Sequence, residues 1–116
     1  MSFRHYNLTL DGNIQRLSSA LADSEVGGPD DEALRVVQLQ MQGDSANPLF
    51  VGGAPKVGTN VTLTSTDHGF RLESGSGGVP AAPYLLGEFE TGPIRLSDIY
   101  VLGTNTEVLH ITVLGF

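Results

Sequence analysis

Val37-Gln38-Leu39-Gln40-Met41-Gln42 alternates apolar and amide side chains without a break. Successive residues of an extended chain point to opposite faces, so this stretch reads as a strand with one face in a core and one polar face. The pattern recurs in Leu49-Phe50-Val51, Val61-Thr62-Leu63-Thr64 and Phe70-Arg71-Leu72-Glu73, and further strands are expected over 84–89, 94–102 and 107–114. Turn-forming clusters at 43–48, 52–53 and 75–78 separate them. Turns at intervals of about 8–12 residues are the mark of an all-β sandwich or barrel. The fold expected is a jelly-roll-like β-sandwich over residues 34–116.

Two strands say more. Between 94 and 102 the apolar parity switches: Ile94 and Leu96 are followed by Ile99 and Val101, with Ser97-Asp98 between. A one-residue slip turns every side chain to the other face, so a bulge or sharp turn belongs at Ser97-Asp98. In the last strand Leu109, Ile111 and Val113 form one face. Val108, His110 and Leu114 form the other, and Phe116 ends the chain. A strand apolar on both faces is central and covered on both sides, by its own fold or by another subunit.

The first third reads differently. Tyr6, Leu8 and Leu10 alternate with Asn7 and Thr9 as a strand, and Asp11-Gly12 is a turn signal. Ile14, Leu17 and Leu21 recur at helical spacing behind Asn13, a candidate N-cap, although a second extended segment fits the same residues. Residues 23–32 are acidic and turn-rich. Residues 1–33 are therefore expected to form an N-terminal arm, within a single domain overall.

Composition narrows function. The 116 residues carry a net charge of −7 with one lysine, Lys56, and five scattered arginines. Nucleic acid is excluded as a partner, because its affinity rests on basic residues neutralising phosphates. No secretory signal is expected, because Met1-Ser2-Phe3-Arg4-His5-Tyr6-Asn7-Leu8 holds no uninterrupted apolar stretch, and no membrane-spanning segment, because no apolar run approaches about 18 residues. Without cysteine there is no disulfide, thiolate metal site or cysteine nucleophile. His5, His68 and His110 share no metal-ligand spacing, and Asp30-Asp31-Glu32 cannot surround an ion as alternating ligands do. Ser65, Asp67 and His68 are the residue types of a hydrolytic triad, but neighbours on one turn rarely converge on one atom. Gly52-Gly53-Ala54-Pro55-Lys56 lacks the phosphate-loop spacing. Asn7-Leu8-Thr9 and Asn60-Val61-Thr62 match glycosylation acceptors by letters alone. No enzymatic activity, cofactor or metal is expected.

Three stretches carry a resemblance. They are Asn47-Pro48-Leu49-Phe50-Val51-Gly52-Gly53 after Val37-Gln38-Leu39-Gln40; Gly69-Phe70-Arg71-Leu72-Glu73-Ser74-Gly75; and Ile94-Arg95-Leu96-Ser97-Asp98-Ile99-Tyr100-Val101-Leu102-Gly103-Thr104 leading to Glu107-Val108-Leu109-His110-Ile111. Together, over roughly residues 34–114, they resemble small all-β virion proteins of tailed bacteriophages. That resemblance implies a capsid cement or decoration protein, or a head-fibre or tail accessory, located in the virion after assembly in the host cytoplasm. It implies as partners the major capsid protein or another virion protein, and copies of this chain. A trimer is favoured, because capsid surfaces offer three-fold positions. The candidate interface residues are Phe3, Tyr6, Val108, His110, Leu114 and Phe116. The alternative is a small-ligand or glycan-binding sandwich, for which Tyr84 and Tyr100 would be the aromatic platforms.

Overall fold

Leu109, Ile111 and Val113 are all at most 1% exposed, while their neighbours Val108, His110, Thr112 and Leu114 are half-buried. That alternation belongs to β8 (Val108–Gly115), and the rest of the fold is organised on it. The computed structural model describes residues 3–24, 33–53, 63–66, 68–87 and 93–115. The other strands are β1 (Phe3–Thr9), β2 (Gln15–Arg16), β3 (Leu34–Met41), β4 (Leu49–Gly53), β5 (Phe70–Leu72), β6 (Tyr84–Gly87) and β7 (Ile99–Leu102), and α1 is Leu17–Ser24.

Two four-stranded sheets result, with orders β1-β8-β3-β6 and β2-β7-β4-β5. All pairings are antiparallel. β1 pairs with β8, β2 with β7, β3 with β6 and β4 with β5, and the two antiparallel sheets pack together as an all-β sandwich. Leu8, Leu39, Leu109 and Ile111 from the first sheet and Leu49, Val51 and Val101 from the second belong to one buried core. Fully burying each such side chain contributes about 1.5–3 kcal/mol, which is why the period-two pattern holds register so firmly.

The parity switch near Ser97 has a topological cause. Leu34 and Ile94 exchange backbone hydrogen bonds of 2.8 and 3.0 Å, which ties Ile94 to the first sheet. A 3-10 turn over Leu96–Asp98 follows, and from Ile99 the chain runs in the second sheet as β7. Residues 94–102 are thus a crossing between sheets, and not one strand with a bulge. Leu96 and Ile99 are nonetheless both buried, at 1% and 4% exposure.

The strand and short helix of the N-terminal segment are built into the sheets. β1 pairs with β8 over seven residues without a register shift, and β2 pairs with β7. A central β8 needs a neighbour on each side, and β1 is one of them. Both readings of 13–24 hold in part: 15–16 are extended, and the helix begins at Leu17. Leu17 and Leu21, one turn apart, are fully buried and belong to the core. Asn13 is not the N-cap, because the helix begins at Leu17; its own N–H donates to Asp11 Oδ1 at 2.8 Å in a local turn. Ile14 stays 39% exposed. Of the strand expected at 61–64, Leu63 is buried but lies in no strand. Positions 61 and 62, the acidic stretch 25–32, positions 54–60 and 88–92, Asp67 and Phe116 lie outside the described residues.

Between β7 and β8, Thr106 adopts φ 73°, a left-handed conformation that a β-branched residue resists. The turn is held there because Thr106 N–H donates to Leu10 C=O and Leu10 N–H to Glu107 C=O, at 2.9 and 2.8 Å. Such strain costs about 1–3 kcal/mol, and glycine's entropy penalty offsets about 0.5–1 of the relief. Thr106→Gly should raise the thermal midpoint by about 2–5 °C. A lower midpoint in calorimetry would contradict the strain.

Candidate interaction surface

The outer face of the first sheet follows from alternation alone. Once Leu8, Leu109 and Leu39 point inward, their neighbours must point out. Register then sets these residues in rows: Phe3, Leu114 and Val36; His5, Thr112, Gln38 and Leu85; Asn7, His110 and Gln40. The last row is polar. His110 Nδ1 lies 2.7 Å from Asn7 Oδ1, so the imidazole donates to the amide oxygen, and Gln40 Nε2 donates to Ala81 C=O at 2.8 Å. The first row is apolar: Phe3 is 72% exposed, Val36 and Leu114 are half-buried, and with Leu85 of the second row, 58% exposed, they border a shallow groove of about 150 Å³.

Four candidate interface residues, Phe3, Val108, His110 and Leu114, share this face. Tyr6 does not. It lies on the opposite face of β1, 8% exposed and part of the core, because Phe3 and Tyr6 are an odd number of residues apart. Val36 and Leu85 join the face without having been expected there. Each sits in an apolar pair or run, Val36-Val37 and Leu85-Leu86, where alternation does not say which member points out.

Elsewhere the chemistry is spent on packing. His68 Nδ1 is 3.0 Å from Thr64 C=O, its ring lies 5.0 Å from that of Phe50, and Ser65 is exposed. Arg16 donates to Tyr100 Oη and lies over the Tyr100 ring, whose residue is 7% exposed and therefore withdrawn from solvent. Tyr84 stacks on Phe70 at 4.0 Å, linking β6 to β5 across the two sheets. Beside that stack is an apolar recess of about 180 Å³, bordered by Val51, Leu86, Ile94 and Ile99 with Asp98 as its one charged residue. Glu107 Oε1 accepts from Ala46 N–H at 2.7 Å and from Asn47 Nδ2 at 3.2 Å, clamping the 43–48 turn to β8.

Among the described residues no three His, Asp or Glu side chains come together as metal ligands. No described helix is long and apolar enough to cross a membrane. Among the described residues the outer face of the first sheet carries an apolar corner beside a polar row. Compared with known proteins, the chain matches no family model, no curated protein and no solved structure.

Proposed function

We propose that this chain is a non-enzymatic structural module that works by assembly: it associates with copies of itself and packs on a larger protein shell. The setting implied by the sequence resemblance is the virion of a tailed phage, with the chain as a capsid cement or decoration protein bound to the major capsid protein. A fold alone does not carry a function. The observation that supports this reading is the apolar corner of Phe3, Val36, Leu85 and Leu114 on the outer sheet face. Burying such side chains is worth about 1.5–3 kcal/mol each. Association costs about 4–15 kcal/mol in lost freedom, so the corner by itself holds a partner only weakly. Repetition on a lattice converts weak contacts into durable ones, since each contact made raises the effective concentration for the next.

Two measurements test the reading. Purified protein added to shells that lack it should sediment with them through a density gradient. Light scattering coupled to size exclusion should give a mass above one chain. Binding on a glycan array without binding to shells would overturn the proposal in favour of a glycan-binding sandwich.

A further inference from the structure

We infer that the outward edge of β1 is a self-recognition site, at which two copies join β1 to β1 in antiparallel fashion and merge their first sheets into one. The inference rests on the self-association proposed above and names the surface that performs it. Sheet edges present backbone N–H and C=O groups that seek another strand, and proteins blunt them with short strands, lysine, proline or bulges. Three of the four edges here are short: β2 has 2 residues, β5 has 3 and β6 has 4. β1 has 7, with no proline, no lysine and no register shift. No other described strand meets its far side.

The direction of its groups follows from the ladder. Leu10 N–H donates to Glu107 C=O, and on the other side of β8 Gln42 N–H donates to Val108 C=O. Odd residues at this end of the chain's last strand therefore bond toward β1 and even ones toward β3. Counting back along the alternation, Leu8, Tyr6 and Arg4 bond to β8. Phe3, His5 and Thr9, with Asn7 between them, aim their backbone groups outward.

The sequence of the strand suits its own reverse. Antiparallel pairing centred on Tyr6 sets Phe3 opposite Thr9 of the second copy and His5 opposite Asn7 of the second copy. Every outward residue then falls in a pair that exchanges both N–H···O bonds. The outer-face rows also match. Leu114 and Phe3 continue into Thr9 and Val108 of the second copy, apolar against largely apolar. Thr112 and His5 continue into Asn7 and His110 of the second copy, polar against polar.

Charge points the same way. Each copy carries −7, yet its first acid is Asp11, so 3–9 holds Arg4 and no carboxylate. The two arginines stand opposite Leu8 residues and about 14 Å apart, beyond the roughly 8 Å screening length at physiological salt. Such a contact is isologous and closes at two copies, where lattice symmetry alone favours three.

The test uses the full chain. Light scattering at tens of micromolar should give the mass of two chains. His5→Pro removes an outward donor and leaves the β8 side of the ladder intact, a position where an edge strand tolerates proline. It should weaken association at least about tenfold with little change in the β spectrum. Should that variant fail to fold, cysteine pairing decides alone. His5→Cys and Asn7→Cys place their Cα atoms about 5.5 Å apart across the contact, within disulfide reach. Mixed under oxidation, the two variants should cross-link to each other, and neither should cross-link to itself. An oligomer indifferent to His5→Pro, or a mixture that does not cross-link, overturns the β1 contact and leaves self-association standing. The mass of one chain throughout overturns both.

Discussion

Leu96→Asp and Ile99→Asp should each strongly destabilise the protein, and Arg95→Asp should cost far less than either. Leu96 and Ile99 are 1% and 4% exposed on either side of the 3-10 turn that carries the chain from one sheet to the other. A carboxylate placed there must be desolvated without a partner or take up a proton, and the lost apolar burial adds to the penalty. The combined cost is about 4 kcal/mol or more, against a total stability of about 5–15 kcal/mol for a domain. Arg95 is exposed, so its replacement removes no core burial and puts no carboxylate into an apolar interior. Urea midpoints for the three variants provide the check. Equal midpoints would mean that the crossing is not embedded in the core.

Gly43→Ala should be nearly as damaging, for a steric reason. A Cβ on Gly43 would lie 2.3 Å from Gly78 C=O oxygen and 2.9 Å from Val79 N, both backbone atoms. The same contact seen from Gly75 puts its Cβ 2.5 Å from Gly43 Cα. Two loops therefore meet backbone to backbone, joined by a Gly78 N–H to Gly43 C=O hydrogen bond of 3.2 Å. Neither loop can yield through a side-chain rotamer, so one must move and lose its hydrogen bonds. A loss of about 2–4 kcal/mol follows, lowering the midpoint by roughly 10 °C. Gly53→Ala is the control: no atom of the other described residues lies within 4 Å of its Cβ position, and its midpoint should stay within about 2 °C of the parent. Matching losses at both sites would show that the loop contact is not tight.

The candidate surface is partly legible in the residues. Val108, His110 and Leu114 were assigned to the outer face of the last strand because β8 alternates for its whole length, and the structure puts them there. Tyr6 does not belong among them: the alternation that sets it beside Leu8 and Leu10 already turns it to the core face. Tyr100 looked available as an aromatic platform until the Arg16 side chain of β2 was found against it, a contact between residues 84 positions apart.

The sequence by itself determined that the chain is built of strands, because period two is a property of neighbouring residues and the energy of burying one face enforces it locally. It determined where most turns fall, and that the chain must change sides near Ser97. Only the tertiary structure decided that this change is a passage between sheets, that residues 3–24 are part of both sheets, and that β1 is left as the long outer edge. Those outcomes depend on which distant strands pair. Pairing is settled by the shared core and by backbone hydrogen bonds that every sequence can make, so no local pattern records it.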